Sequence, residues 1–216
     1  MSQRAWFPVD DAPSPRRLRK HALADEVRAL VADVLYLDVE DADDEALTEA
    51  ESRLADARKA IASLPDIRDK GGVYGNRGDA SLFERSPLSG RCNALAAPLV
   101  LEFDGGRTLG HATYGEAYEG PPGSVHGGFV ISAFDDLLGV AQAASGTAGF
   151  TGTLTVKLLA RTPLHERIEY EAGVQEHSGR KVVAWGRSTL RGETLAEATG
   201  IFIAPRQGLE LPDKEP

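Results

Sequence analysis

The stretch GPPGSVHGGFVISAFDDLLGVA, residues 120–141, decides how this chain folds. Its first four residues, Gly-Pro-Pro-Gly, continue neither a strand nor a helix, so the chain turns here. From Gly127 onward, apolar residues recur around most of a helical circumference, which predicts a helix buried inside the protein. Asp135 and Asp136 interrupt this apolar surface. Because adjacent helical residues point about 100° apart, we expect one of them to reach a pocket while the other caps the helix or faces solvent.

The start of this helix has the properties of an oxyanion hole. A helix N-terminus offers unpaired backbone N–H groups and a partial positive charge, and Gly127 and Gly128 allow a carbonyl oxygen to approach them closely. Asp135 follows Gly128 by seven residues, which is about 10 Å along the same helix and too far to serve these glycines. We therefore expect a homodimer in which an antiparallel second copy of the helix brings its Asp135 to them, so that two chains share each site.

The spacing of these residues is similar to a family signature. His126, Gly127 and Gly128, followed by Asp135 nine positions after the histidine, resemble the hotdog-fold acyl-CoA thioesterases of the phenylacetyl-CoA thioesterase-like branch. The segments TGTLTVKLLARTPL, residues 151–164, and SGRKVV, residues 178–183, continue a resemblance that covers about Leu99 to Ala204. It implies an α+β hotdog fold, a curved antiparallel sheet wrapped around a central helix, and the hydrolysis of acyl-CoA to free acid and coenzyme A.

The resemblance also implies roles for single residues. The Gly128 N–H would polarise the thioester carbonyl, Asp135 would act as general base or nucleophile, and Thr151 would position the water. His126 would either orient the loop or contact the thioester. Many family members carry Asn or Gln six residues before the histidine, where this chain has Gly120. A non-catalytic acyl-CoA-binding or regulatory protein is therefore the alternative function.

The proposed chemistry needs no cofactor, because a preorganised donor and a general base suffice for a reactive thioester. Water attack and direct attack by Asp135, through an anhydride, are both open. Gly127 is a candidate for substrate binding beside Gly128. The candidates for the phosphates of coenzyme A are the cations Arg161, Arg180 and Lys181.

Composition excludes several other functions. The chain has 216 residues, of which 42% are hydrophobic and 26% charged, and its net charge of -9 argues against a nucleic-acid partner. The N-terminal residues contain no continuous apolar stretch that would predict a signal peptide. No run of about 18 apolar residues predicts a membrane helix. The single cysteine, Cys92, and the absence of CxxC and HExxH spacings predict no metal site and a cytoplasmic protein. The excess of Arg over Lys is typical of a GC-rich bacterial genome.

The remaining sequence predicts an N-terminal extension before the hotdog domain. Two apolar series at three- and four-residue steps predict a helical hairpin: Leu23, Val27, Leu30, Val34, Leu37 and then Leu47, Ala50, Leu54, Ala57, Ile61, Leu64. We predict this extension with its linker over residues 1–90, the hotdog domain over 91–206 and a flexible tail over 207–216. Strands are expected at 99–103 and 108–118, followed by four more beyond the helix, with hairpin turns at Ser178-Gly179 and Arg191-Gly192. The dimers could pair again into tetramers.

Overall fold

A computed structural model of the protein describes residues 13–67, 82–104 and 106–206. The predicted tail, 207–216, lies outside the described residues. The described α-helices are α1 (Pro15–Leu35), α2 (Asp44–Ala62), α3 (Leu82–Arg85) and α4 (Gly127–Ala144). The described strands are β1 (Val100–Asp104), β2 (Arg107–Thr113), β3 (Phe150–Leu158), β4 (Arg167–Ser178), β5 (Lys181–Leu190) and β6 (Glu193–Ile203).

The six strands form one antiparallel sheet in the order β1-β2-β4-β5-β6-β3. Helix α4 packs across this sheet and contacts β2 through β6. Its fully buried residues Phe134, Leu137 and Leu138 form the centre of the core, against side chains such as Tyr170 and Phe202. The predicted architecture, a curved antiparallel sheet around a central helix with N-terminal helices added, is confirmed.

Small residues on β5 and β6 let α4 approach the sheet closely. A Cβ atom built on Gly186 would lie 3.1 Å from Leu138 Cδ2 and 3.2 Å from Phe134 Cδ1. One built on Gly200 would lie 3.1 Å from Leu138 Cδ1. The neighbouring positions on the same strand faces are the buried Ala184, Ser188, Ala196 and Ala198. These small side chains therefore form the surface on which the helix rests.

The hairpin turns lie where the sequence predicts them. Gly179 has a φ of +57° at the turn between β4 and β5. Between β5 and β6, Arg191 and Gly192 have φ values of 52° and 88°. Two consecutive positive values are typical of the type I′ turn, whose twist matches that of antiparallel strands. Strands β4, β5 and β6 thus form the predicted meander.

The prediction of one strand from Thr108 to Tyr118 is wrong at its end. Strand β2 stops at Thr113, and Glu116–Tyr118 form a 3-10 helix after Gly115. The aromatic residues in this region are held by side-chain contacts instead of strand pairing. The Tyr118 hydroxyl donates to the Ala96 carbonyl at 2.9 Å, and its ring packs edge-on against Phe129 of α4.

The two N-terminal helices are present, but their predicted apolar stripes are not buried. The buried residues of α1 are Arg17, His21 and Ala24, whereas α2 has none. Helix α1 is attached to the rest of the chain by polar contacts: His21 Nε2 lies 2.7 Å from Glu84 Oε2, and Arg28 Nη2 donates to the Asn93 carbonyl at 2.8 Å. Among the described residues, every helix is too short or too polar to cross a membrane.

Candidate active site

The N-terminus of α4 is organised by His126, which is its N-cap residue. The Gly128 N–H donates to His126 Nδ1 at 3.0 Å, as side-chain caps do at helix starts. The ring fits because Gly128 has no side chain: a Cβ there would lie 3.1 Å from Nδ1. Of the two roles left open for His126, the structure therefore contains the loop-orienting contact. The Gly127 N–H has no acceptor among the described residues.

The loop before α4 explains why glycine occupies position 120. The Gly120 N–H donates to the Ser124 carbonyl at 2.9 Å, and the His126 N–H to the Tyr118 carbonyl at 2.8 Å, so the loop folds tightly on itself. A Cβ on Gly120 would lie 2.7 Å from His126 Cα, which is backbone and cannot move aside cheaply. An Asn or Gln side chain is therefore incompatible with this loop conformation.

Asp135 and Thr151 lie in direct contact. The Thr151 hydroxyl donates to Asp135 Oδ1 at 2.9 Å, across the gap between α4 and the start of β3. The register of β3 against β6 shifts between Thr151 and Thr153, so Gly152 lies at a β-bulge. Bulges re-aim neighbouring side chains and are common beside active sites. Two residues that the sequence separates by sixteen positions thus form one hydrogen-bonded pair.

This pair lines a cavity of about 310 Å³ that also contains Asp136. Ser86 Oγ donates to Asp136 Oδ2 at 2.9 Å, and Ser89 Oγ donates to the same oxygen. Burial raises the pKa of Asp136, against the opposing effect of the two serine hydroxyls. Both aspartates therefore line the cavity, whereas the sequence predicted that only one would reach a pocket.

Sequence reasoning missed the contribution of residues 86–89. Ser86 and Pro87 form one wall of the cavity, although they precede the part of the chain that resembles the thioesterases. Ser86 is fifty positions from Asp136, and no local spacing links the two. The segment's only local signal is the Ser86 side chain, which accepts the N–H groups of Leu88 and Ser89 in a turn.

The predicted oxyanion donors lie at the other end of the helix from the carboxylate. Asp135 is seven residues beyond Gly128, about 10 Å along α4, so one chain does not bring them together. Arg161 lies with the glycines, because its neighbour Thr162 accepts the Val125 N–H at 2.8 Å. It is ten residues beyond Thr151 along an extended chain, roughly 30 Å away.

Arg180 and Lys181 lie at the Thr151 end of the sheet. Lys181 pairs with Ile203, which in turn pairs with Phe150, so two strand spacings, about 10 Å, separate the backbone of Lys181 from β3. Both side chains are exposed, and Arg180 Nη1 donates to the Ala204 carbonyl at 2.9 Å. The three predicted phosphate-binding cations are therefore divided between the two ends of one chain's site.

Among the described residues, the fold brings together three side chains of types that bind metals, and the sequence did not predict this cluster. His21, Glu84 and Cys92 have ligand atoms within 4.8 Å of one another. These atoms bond each other, since Glu84 Oε2 contacts His21 Nε2 and accepts the Cys92 thiol at 3.2 Å. Arg17 Nε lies 3.7 Å from the other carboxylate oxygen. The cluster links α1 to α3.

Comparison with known proteins agrees with this fold. No family sequence profile matches the chain, and no curated protein matches it in sequence. Among solved structures, a protein described as a thioesterase superfamily protein is 27% identical, covers 91% of this chain and 97% of its own, and superposes with a TM-score of 0.71. The chain has the hotdog fold of thioesterase superfamily proteins. Because the hotdog domain alone is only about half of the chain, a coverage of 91% has to include the N-terminal helices. The similarity therefore extends beyond the hotdog domain.

Other solved structures described as thioesterases match about half of this chain. A phenylacetic acid degradation-related putative thioesterase from Ralstonia eutropha JMP134 is 18% identical over 50% of this chain and 86% of its own, with a TM-score of 0.47. A hypothetical thioesterase from Streptococcus pneumoniae TIGR4, solved with coenzyme A, is 18% identical over 49% of this chain and 87% of its own, with a TM-score of 0.46.

Proposed function

We propose that this protein hydrolyses acyl-CoA thioesters to the free acid and coenzyme A. The observation that carries the proposal is the Thr151–Asp135 hydrogen bond of 2.9 Å at the edge of a cavity. Thr151 fixes Asp135 Oδ1, and the second carboxylate oxygen is then the acceptor for a water molecule. A carboxylate held in this way is a suitable general base.

The reaction then proceeds in two steps. In the first step, the water oxygen attacks the thioester carbon while Asp135 takes a proton from this water. The carbonyl oxygen then becomes an oxyanion. Backbone N–H groups at the α4 N-terminus of the partner subunit stabilise this charge. The Gly127 N–H is available directly, and the Gly128 N–H after release from His126 Nδ1. When the C–S bond breaks, the sulfur of coenzyme A leaves and receives the proton from Asp135.

The exposed edge strand β3 supports a dimer with shared sites. β3 pairs with β6 on one side only, and its terminal residues Phe150 and Leu158 are 59% and 51% exposed. Unprotected edges of this kind are templates for pairing with another chain. Antiparallel pairing of two copies about Leu154 sets Phe150 opposite Leu158 of the partner subunit. Because Leu158 Cδ1 would touch a Cβ on Gly127, the partner's glycines then adjoin Asp135 and Thr151.

Subunit complementation tests both the chemistry and the sharing of sites. We expect Asp135→Asn and Gly128→Pro each to lower acyl-CoA hydrolysis by at least about 10²-fold, because one lacks the base and the other an oxyanion donor. Gly128→Pro removes the Gly128 N–H, and Gly128→Ala, which also crowds the His126 ring but keeps the N–H, is the matched control. Release of free thiol from a panel of acyl-CoA esters is the measurement.

Mixing the two inactive variants is expected to restore about a quarter of the wild-type activity, because about half of the dimers are mixed and each has one intact site of two. Mixtures of each variant with itself are the control. Acyl-CoA binding without turnover in the wild-type protein would instead favour the alternative function, a non-catalytic binder. An active wild-type protein and two inactive variants that show no gain on mixing would contradict only the sharing of sites.

A further inference from the structure

Helix α2 presents an apolar seam that nothing in the described chain covers. Its apolar residues follow one another at strict alternating steps of three and four: Leu47, Ala50, Leu54, Ala57 and Ile61, with Leu64 just beyond the helix. No residue of α2 is buried, and Leu54 and Ile61 are 40% and 46% exposed. A strict seam of this spacing is typical of the contact face of a two-stranded coiled coil.

We propose that α2 pairs with α2 of a second copy as a short antiparallel coiled coil, with the two-fold axis between residues 55 and 56. In this register large side chains meet small ones in the four central layers, and Leu47 faces Leu64 of the partner subunit in the outer layer at each end. Leu54 lies opposite Ala57 of the partner subunit, and Ile61 lies opposite Ala50 of the partner subunit. Alternating large and small residues let such layers interdigitate without voids.

The charges beside the seam select the antiparallel orientation. Glu51 and Arg58 lie on the same flank of the seam, seven residues apart, and both are exposed. In the antiparallel register Glu51 faces Arg58 of the partner subunit, twice in each pair. In a parallel pair the cation Arg53 would face Arg58 of the partner subunit, and like charges repel. The exposed ion pairs within α2, Arg53–Glu49 and Lys59–Asp56, use neither Glu51 nor Arg58.

This contact is independent of the proposed catalysis. Glu51 and Arg58 belong to the N-terminal extension, and neither lines the cavity that contains Asp135. If the α2 axis coincides with the axis that relates two β3 strands, the contact tightens a dimer. If it does not, the contact joins dimers into tetramers. In both arrangements the association constant measured by sedimentation reports on it.

Charge reversal provides the test. We expect Glu51→Arg and Arg58→Glu, in the full-length protein, each to weaken association at least about tenfold, because each sets two like-charged pairs across the seam. An equimolar mixture of the two variants, and the double variant, are expected to return to within about twofold of wild type, because both restore opposite charges. Glu40→Arg, the same charge change in the exposed connection before α2, is the matched control and should leave association unchanged.

A disulfide experiment fixes the register. In a Cys92→Ser background, we expect a mixture of the Ile61→Cys and Ala50→Cys variants to form a disulfide between two chains. Neither variant alone should do so, because the two copies of position 61 lie about 16 Å apart along an antiparallel pair. Cross-linking of either variant alone indicates a parallel pair and contradicts the proposal. If Ile61→Glu lowers the melting temperature without changing the assembled mass, the seam is covered by the chain itself and the proposal is wrong. Unchanged hydrolysis in Glu51→Arg separates these outcomes from failure of the proposed function.

Discussion

At the scale of single residues, the two adjacent aspartates of α4 have different surroundings. Asp135 is half-buried and accepts a hydrogen bond from the Thr151 hydroxyl. Asp136 accepts from both Ser86 and Ser89, and burial raises its pKa. The buried environment of Asp136 therefore favours its protonated form.

The raised pKa of Asp136 predicts a pH-dependent difference in stability. Between the ordinary aspartate pKa and the raised one, the folded state holds a proton that the unfolded state has lost, so the free energy of unfolding falls as pH rises. Asp136→Asn removes this ionisation. We expect the wild-type protein to lose stability relative to the variant as pH increases from about 3.5 to 7. Thermal unfolding of both proteins across this range measures the difference, and a wild-type stability that stays constant or rises relative to that of the variant would contradict the assignment.

The resemblance to the hotdog thioesterases predicts the Asp135–Thr151 part of the site, because the motif that carries this resemblance is local. The spacing from His126 to Asp135 lies within one helix, and Thr151 opens the next strand. The serine contacts to Asp136 depend on how residues 86–89 fold back over α4. Periodicity describes which face of an element is apolar, but it does not describe which distant loop covers that face.

At the scale of elements, the distance between α4 and the sheet depends on glycine. At Gly186 of β5, an added Cβ would lie within 3.2 Å of both Phe134 and Leu138. We expect Gly186→Val to lower the free energy of unfolding by about 1–3 kcal/mol, because added methyl groups force packed core side chains from their rotamers. Urea unfolding measures this. Gly139→Ala is the matched control, since a Cβ there meets nothing within 4 Å, and a helical alanine should stabilise by up to about 1 kcal/mol.

The elements with strong periodicity were predicted well, and those held by single side-chain contacts were not. The start of α4, the meander and its two hairpin turns lie where the sequence indicates. Strand β2 ends early because Gly115 and the Tyr118 contacts redirect the chain, which no alternation of apolar residues reveals. For α1 the apolar stripe was correctly identified as helical, but the helix contacts its neighbours through His21 and Arg28 instead.

At the scale of the whole molecule, the proposed substrate is a polyanion, whereas the protein is acidic. The net charge of -9 repels the phosphates of coenzyme A, so attraction has to be local. Arg180 and Lys181 lie at the Thr151 end of the sheet, and Arg161 lies at the Gly127 end. In the proposed dimer, Arg161 of the partner subunit joins Arg180 and Lys181 beside one site. Dimer formation would thus collect the cations as well as the reacting groups.

This arrangement predicts that the phosphates and the thioester are recognised separately. We expect the double variant Arg180→Glu, Lys181→Glu to raise KM for acyl-CoA about tenfold with kcat nearly unchanged. In the proposed complex, Arg180 and Lys181 contact the phosphates of the nucleotide and not the reacting carbon. The same acyl group on N-acetylcysteamine, which has no phosphate, is the control substrate, and its hydrolysis should be unaffected. Equal losses on both thioesters would show that the turn acts through the structure of the site. An unchanged KM for acyl-CoA would remove Arg180 and Lys181 from the binding surface and leave Arg161 as the candidate.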